Sequence, residues 1–317
     1  MRKPNFFIAG APRCGTTALY TYLSQHPAIF MPEVKELNYF ATDFPNVQKV
    51  TFRSEADYLR MFASAQEHHL ALGEASPFYL YSRTAFENLF AFQPQAKIIL
   101  SLRNPVDFVH SYHRLNLSLL REDQPDLLRA WELQAARKRG EAIPPSARHP
   151  ELLMYGELGQ YSRYVERLLA IFPRQQVKII LFDDLQADTR AVYEEILAFV
   201  GVPSDGRTVF PRVNASFENK SRLLAQIFHP PQPVYRAFMG VISLFGVRFT
   251  RLVSVVYNRL ERLNTRTAQR QALPPEVRRR LQEHFAPDIQ RLSTLIGRDL
   301  HMWLKEPPPH GKASTTS

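Results

Sequence analysis

Short apolar runs alternate along the chain with segments of helical period. The runs have the length of buried strands, whereas the segments between them repeat their apolar positions every three or four residues. Three runs predict strands, at 6–9, 96–103 and 177–182. Helical segments begin at Thr16 and Pro105 and cover 159–172 and 191–200. This alternation predicts an α/β fold, with a central parallel sheet and helices on both of its faces.

Weaker patterns complete the N-terminal two thirds of the chain. Residues 57–65 predict a short amphipathic helix, and 72–80 predict a strand that turns into a loop at Pro77. Residues 121–150 are polar and rich in arginine and proline, so we expect a loop and helix excursion over the active face. Its charged run, 136–139, predicts a solvent-exposed face.

The C-terminal third carries an apolar, arginine-rich stretch and then a final amphipathic helical region at 273–304. We predict one domain over 1–306, in which 228–306 is a helical C-terminal extension. Residues 307–317 predict a disordered tail.

The stretch between the first strand and the first helix has the composition of an anion site. Two glycines, a proline and one cation directly precede the helix start. Backbone N–H groups and the positive end of the helix dipole attract anions there, and two threonine hydroxyls add donors. A strand–turn–helix connection without a ligand is the alternative. The predicted contacts are Arg13, Cys14, Gly15, Thr16 and Thr17.

This loop differs from the phosphate loop of nucleotide kinases, whose Gly-Lys-Ser/Thr ending uses the hydroxyl to hold magnesium. Gly10 and Gly15 have the required separation, but Thr16 occupies the lysine position and the cation, Arg13, lies inside the loop. We therefore predict a P-loop-like sheet that binds a phosphate-like group without a metal.

A second cation follows the second predicted strand. Arg103 stands at the strand's carboxyl end, where open α/β sheets bind ligands. Ser111 lies about two helical turns further on and can face the same groove. Arg103 and Ser111 thus predict a second phosphate site, and a surface ion pair of Arg103 is the alternative.

Adjacent charges at Lys35 and Glu36 lie beside an apolar and aromatic segment. A carboxylate there can act as a general base that the lysine tunes, and a solvated ion pair is the alternative. Glu74 and Ser76 have bulky neighbours and can line a cleft, although Ser76 also suits a helix cap. Glu74 and His113 are the next candidates for the base.

Composition limits the partners. The 317 residues carry a net charge of +10, which favours anionic partners. We expect no nucleic-acid partner, because the chain lacks zinc-ligand spacing, a basic recognition helix and an RNA-binding aromatic motif. One cysteine, no signal peptide and no bilayer-spanning apolar run predict a cytoplasmic protein.

Two basic segments lie beyond the last predicted strand. Lys220, Ser221 and Arg222 belong to a polar loop that can close over an anionic ligand. The arginine-rich stretch 236–262 either packs on the sheet with its charges in water or contacts a membrane surface. Its arginines are Arg236, Arg248, Arg251, Arg259 and Arg262.

Five motifs in this order resemble the sulfotransferases that use 3′-phosphoadenosine 5′-phosphosulfate (PAPS). Residues 11–17 resemble the 5′-phosphosulfate loop, and Arg103-Asn104-Pro105 with Ser111 resembles the 3′-phosphate motif. Residues 35–40 and 73–79 resemble two segments of the heparan-sulfate-type branch, the first of which carries its catalytic glutamate. Bacterial members resemble this chain at Gly159-Gln160-Tyr161, at 182–185 and at 300–304. The resemblance covers nearly the whole chain.

The resemblance implies transfer of a sulfuryl group from PAPS to an acceptor hydroxyl, or less readily an amine, with no metal required. It implies that Glu36 is the base, that Lys35 and Arg13 assist by charge, and that Tyr161 joins the acceptor side. The acceptor stays open among carbohydrate, lipid and small natural-product hydroxyls. Arg13 replaces the usual lysine of the loop and can bond the same oxygens with a different geometry. Ala75 replaces a lysine of the heparan-type branch, which weakens the case for a glycosaminoglycan acceptor.

Two other function classes stay open. One is a nucleotide kinase-like enzyme with a P-loop, which the missing Gly-Lys-Ser/Thr ending disfavours. The other is a basic protein that binds membranes or polyanions, which explains the charge but not the two spaced anion sites.

Overall fold

A computed structural model of the protein describes residues 2–44, 52–211, 213, 217–220, 234, 237–238, 241, 265–267 and 272–305. The predicted tail and the five arginines of 236–262 lie outside the described residues, as do Ser221 and Arg222. No helix among the described residues is both long enough and apolar enough to cross a membrane.

The strands are β1 (Phe6–Gly10), β2 (Ile29–Phe30), β3 (Ala71–Ala75), β4 (Lys97–Leu102), β5 (Val177–Leu181), β6 (Phe217–Asn219) and β7 (Thr265–Thr267). The first five form one parallel sheet in the order β2-β3-β1-β4-β5. In that sheet Phe6 pairs with Gly73 on one side and with Lys97 on the other. Strands β6 and β7 form an antiparallel pair.

The helices before β4 are α1 (Thr16–Ser24), α2 (Glu55–Leu59) and α3 (Ala85–Phe92). Those that follow it are α4 (Pro105–Ser118), α5 (Leu127–Glu132), α6 (Gln134–Lys138), α7 (Tyr155–Leu158), α8 (Tyr161–Ile171), α9 (Phe182–Ala187), α10 (Thr189–Val200) and α11 (Pro275–Ile296). Short 3₁₀ turns occupy Arg60–Phe62, Pro77–Leu80, Pro150–Leu153, Arg174–Gln176 and His301–Leu304.

The two faces of the sheet bury different residues of the same strand. Because side chains alternate along a strand, Phe7 and Ala9 join the core under α3, α4, α8 and α11. Phe6 and Ile8 join a second core with α1 and α10. The predicted parallel sheet with helices on both faces is confirmed. The C-terminal region is helical as predicted, and Gly297, with φ 67°, caps the end of α11.

The prediction that the charged run 136–139 is solvent-exposed is wrong for Arg137. Within the charged run 136–139, Lys138 and Arg139 are exposed, but Arg137 is only 2% exposed. Its guanidinium donates two hydrogen bonds, of 2.8 and 2.6 Å, to the buried carboxylate of Glu122. A carboxylate that lies 15 residues earlier satisfies the charge, so a run of cations does not by itself indicate solvent.

Candidate active site

The loop between β1 and α1 is held against β4. Ala11 N–H donates to the carbonyl of Ser101 (2.8 Å), and the Ser101 hydroxyl donates to the carbonyl of Cys14 (2.5 Å). Gly15 has φ 83°, and a Cβ there would lie 2.8 Å from Leu185 Cδ2, so only glycine fits the turn. Helix α1 begins at the next residue, with its first N–H groups at the carboxyl end of the sheet.

Cys14 supports this loop from inside. The side chain is fully buried, with Sγ 3.5 Å from the carbonyl of Pro12 and 3.9 Å from the hydroxyl of Tyr161. Burial raises the pKa of the Cys14 thiol to about 12, so it stays protonated at neutral pH. Tyr161, which we expected on the acceptor side, is itself fully buried beneath the loop.

Arg13 joins the two predicted anion sites. Its Nε donates to Ser111 Oγ at 3.0 Å, across 98 positions of sequence. The pKa of Arg13 is lowered to about 10, mainly by burial and to a smaller extent by the positive charge of Arg103. The guanidinium therefore remains charged at neutral pH. The Arg103 guanidinium lies 5.0 Å from the ring centre of Phe182. Two cations and a hydroxyl thus meet beside the start of α1.

Three residues that lie in the quoted motifs, but for which the sequence predicted no role, connect the residue after Arg103 to the C-terminal region. Asn104 Oδ1 accepts the N–H of Val106 (3.0 Å) and caps α4, whose first residue is Pro105 as predicted. Asn104 Nδ2 donates to the carbonyl of Trp303 (3.0 Å), and Trp303 Nε1 donates to Asp183 (2.7 Å). The Asn-Pro pair, which is typical of a helix start, indicated the cap, whereas the contacts among Asn104, Trp303 and Asp183 were not predicted.

Glu36 lies on the connection after β2. Its carboxylate accepts a hydrogen bond from Lys35 Nζ at 3.0 Å, and the Glu36 side chain is 27% exposed. Its backbone has φ 67°, and its N–H donates to the carbonyl of Ala75 (3.0 Å). The charge also reaches Tyr112, whose pKa is raised by burial and, to a smaller extent, by Glu36. Tyr112 follows Ser111 on α4, so the charge of Glu36 is felt at this part of the helix.

Glu74 and Ser76 are buried at the end of β3, and the Ser76 side chain makes no cap bond to the following 3₁₀ turn. Instead the Ser76 hydroxyl donates to Glu74. Burial raises the pKa of Glu74, against the effect of the hydrogen bonds that it accepts. This environment favours a structural role for Glu74 over contact with an acceptor.

His113 is also buried, with Nε2 2.8 Å from the carbonyl of Gln124. Burial lowers its pKa, which keeps the imidazole neutral and suits it to bracing the turn after α4.

A small cavity lies beside Tyr112, the residue after Ser111 on α4. Its volume is about 20 Å³, and Asn116 and His149 are also among its lining residues. His149 Nε2 is buried there without a hydrogen-bond partner among the residues that the structure describes, whereas the side chains of Tyr112 and Asn116 are close enough to interact with each other. The cavity can take one water-sized polar group.

The remaining predicted donor-site residue is Lys220. It is exposed and directly follows β6, which lies against α4. Its two predicted partners, Ser221 and Arg222, fall outside the described residues.

Comparison with known proteins gives one consistent family. The family model described as "Sulfotransferase domain" matches residues 3–229. A sulfotransferase structure from Alicyclobacillus acidocaldarius superposes with a TM-score of 0.68 and 29% identity, and covers 96% of this chain and 100% of that one.

Two curated relatives show more limited similarity. The human bifunctional heparan sulfate N-deacetylase/N-sulfotransferase 3 is 28% identical over 203 residues, which are 63% of this chain and 22% of that protein. The membrane-associated sulfotransferase kil1 of Dictyostelium discoideum is 32% identical over 121 residues, 38% of this chain and 25% of that protein. The matched part is a quarter or less of each relative's length.

Proposed function

Because this chain belongs to the sulfotransferase family, we propose that it transfers a sulfuryl group from PAPS to the hydroxyl of an acceptor. The observation that carries the proposal is the contact between Arg13 Nε and Ser111 Oγ at 3.0 Å, with Arg103 close enough to lower the pKa of Arg13. Two cations and a hydroxyl at a helix start suit a ligand with two separate phosphate groups.

In the proposed reaction the donor lies along this cationic region. The β1–α1 loop, with Arg13 and the hydroxyls of Thr16 and Thr17, binds the 5′-phosphosulfate. Arg103 and Ser111 bind the 3′-phosphate, which ordinary nucleotides lack, and Lys220 with its loop covers the donor. Preorganised donors of this kind stabilise charge as it develops, and no metal is required for that effect.

The acceptor reacts on the side of Glu36. The Glu36 carboxylate takes the hydroxyl proton, the acceptor oxygen bonds to sulfur, and the bond from sulfur to the phosphate oxygen breaks. The electron pair of that bond stays on the departing phosphate, next to Arg13. Lys35 Nζ donates to the Glu36 carboxylate at 3.0 Å and so orients it toward the acceptor.

The acceptor is a carbohydrate, a lipid or a small natural product with a free hydroxyl. The human relative is named an N-sulfotransferase, so an amine is a second class to include. Membrane contact through 236–262 and a cytoplasmic location stay predictions.

The proposal is tested by calorimetric titration, without magnesium, with PAP, the product that PAPS leaves after transfer. We expect PAP to bind roughly tenfold to a hundredfold more tightly than ADP, because each charge-assisted bond to the 3′-phosphate contributes about 1.5–3 kcal/mol. Arg103→Ala removes this preference.

Arg279→Ala is the matched control, since it removes one exposed cation of α11 and leaves the loop intact. Equal affinity for PAP and ADP in the wild-type protein contradicts the proposal and favours a nucleotide kinase-like enzyme.

A further inference from the structure

A buried carboxylate stands behind the segment that carries Glu36. Glu74 is the fourth residue of β3 and is 1% exposed. Tyr58 donates to its Oε2 at 2.5 Å, while Ser76 and Tyr79 donate to its Oε1 at 2.5 and 2.8 Å. All three hydroxyl side chains are fully buried.

Two of these three hydroxyls also hold the backbone of the Glu36 segment. Ser76 Oγ accepts the N–H of Asn38 at 2.9 Å, and Tyr79 Oη accepts the N–H of Phe40 at 3.4 Å. Tyr58 makes no such bond among those that the structure records for its hydroxyl. Glu74 is therefore connected to the segment through the hydroxyls of Ser76 and Tyr79 and not through that of Tyr58, and the backbone N–H of Asn38 is also close enough to lower the pKa of Glu74.

The segment needs this support because its backbone is strained. Glu36 has φ 67°, in the left-handed region that residues with a Cβ rarely adopt, and Asn38 follows in the same region with φ 50°, which asparagine tolerates better. The strained conformation of Glu36 persists only when its surroundings impose it. Two bridges and the bond from Glu36 N–H to Ala75 impose it here.

The direction of the hydrogen bonds explains why a carboxylate stands at this position. A hydroxyl has one proton to donate, and an ionised carboxylate can only accept. Once Ser76 and Tyr79 donate to Glu74, only their lone pairs remain to face the two backbone N–H groups. A donor in place of Glu74 would reverse the hydroxyls and turn their protons toward those N–H groups.

We infer that Glu74 is a positioning residue, which sets the place of the Glu36 carboxylate through the hydroxyls of Ser76 and Tyr79. The inference rests on the proposed function, in which Glu36 is the base. Misplacement of a catalytic group by about 1 Å can cost on the order of a hundredfold in rate.

The test compares Ser76→Ala with Tyr58→Phe. Each variant removes one buried hydroxyl that donates to Glu74, but only Ser76 bridges to the segment. Three quantities are measured: hydrogen exchange of the backbone amides of 36–44, affinity for PAP, and kcat for PAP release from PAPS. The acceptors for kcat are a panel of carbohydrates, alcohols and amines.

In Ser76→Ala we expect exchange in 36–44 to become at least tenfold faster and kcat to fall about a hundredfold. Affinity for PAP stays within about twofold, because the donor loop is separate. In Tyr58→Phe we expect the exchange rates in 36–44, the affinity for PAP and kcat all to stay within about twofold of the wild-type values. Glu74→Gln keeps more kcat than Glu74→Ala, because its amide oxygen can still accept from Ser76 and Tyr79 while its NH₂ turns to Tyr58.

Equal losses of kcat in Ser76→Ala and Tyr58→Phe, or unchanged exchange in Ser76→Ala, overturn the inference. If Ser76→Ala does not fold, Tyr79→Phe breaks the second bridge and serves in its place. A wild-type protein that fails to prefer PAP refutes the proposed function instead, and the exchange comparison still decides whether Glu74 holds the segment.

Discussion

At the scale of single residues, the donor region gathers positive charge and removes reactive alternatives. Arg13 remains a cation despite its burial, while the Cys14 thiol, with a pKa of about 12, is not a nucleophile at neutral pH. His113 is neutral and hydrogen-bonded to the backbone. Among these candidates Glu36 is the partly exposed carboxylate, so proton transfer at this site is best assigned to it.

Replacement of Glu36 tests that assignment directly. We expect Glu36→Gln to lower kcat about a hundredfold to ten-thousandfold, because the amide cannot take the acceptor proton. Affinity for PAP stays within about twofold. Glu33→Gln is the control, since it neutralises an exposed glutamate of the same segment. Full activity in Glu36→Gln removes Glu36 from the mechanism.

At the scale of elements, a buried ion pair fastens the excursion that follows α4. Glu122 accepts from both terminal nitrogens of Arg137 on α6 and from the hydroxyl of Tyr155 on α7 (2.8 Å). Burial alone would raise the pKa of Glu122, but the hydrogen bonds from Arg137, Gln124 and Tyr155 outweigh it and lower the pKa. The pair fixes the elements around the cavity beside Tyr112.

Loss of Arg137 leaves this carboxylate buried without its partner. We expect Arg137→Met to lower the free energy of unfolding by about 3–5 kcal/mol at pH 7, and the exposed Lys138→Met by less than about 1 kcal/mol. Because the folded pKa of Glu122 is depressed, its contribution is present above the unfolded pKa and is lost as pH falls through the folded value.

Denaturant titrations at pH 7 and below pH 4 measure both effects. We expect the difference in free energy of unfolding between wild type and Arg137→Met to be smaller at the lower pH. A difference that stays constant shows that the packing of Arg137, and not its charge, supplies the stability.

At the scale of the whole molecule, the C-terminal region packs against the side of the sheet where we propose that the donor binds. Trp303 links Asn104, the cap of α4, to Asp183 of α9, and Arg298 pairs with Asp184 at 3.0 Å. Near the start of α11, Arg278 pairs with Asp107 of α4 at 2.8 Å. The last described residues thus help to hold the helix that carries Ser111.

Trp303→Phe keeps the ring packing but removes the hydrogen bond to Asp183. We expect the free energy of unfolding to fall by about 0.5–1.5 kcal/mol, the usual net contribution of one hydrogen bond, because the exposed Asp183 carboxylate can bond water instead. Affinity for PAP falls roughly twofold to tenfold as the cap of α4 loosens. Thermal unfolding and calorimetry measure the two effects. Met302→Ala, at an exposed neighbour, changes neither, and an unchanged PAP affinity in Trp303→Phe separates this region from the donor site.

Local patterns were sufficient for most of the long elements, although not for the two-residue strand β2 or for the bounds of α2, which was predicted at 57–65. The continuous apolar runs 6–9 and 96–103 identified two strands, which pair in the sheet, and the helical period over 191–200 identified α10. The placement of Arg103 after a strand and of Ser111 two turns later needed only the geometry of one strand and one helix. These features depend on residues close together in the chain, which is why the sequence by itself determined them.

Tertiary structure alone decided which distant groups meet. Arg13 bonds Ser111 across 98 positions, and Glu74 lies under three hydroxyls instead of in a cleft. Arg137 looked like one more solvated cation until the fold brought Glu122 to it. Periodicity reports which face of an element is buried, whereas the partner of a buried polar group depends on how elements pack. A buried carboxylate and a catalytic one therefore look alike in sequence, and only the surroundings given by the fold separate Glu74 from Glu36.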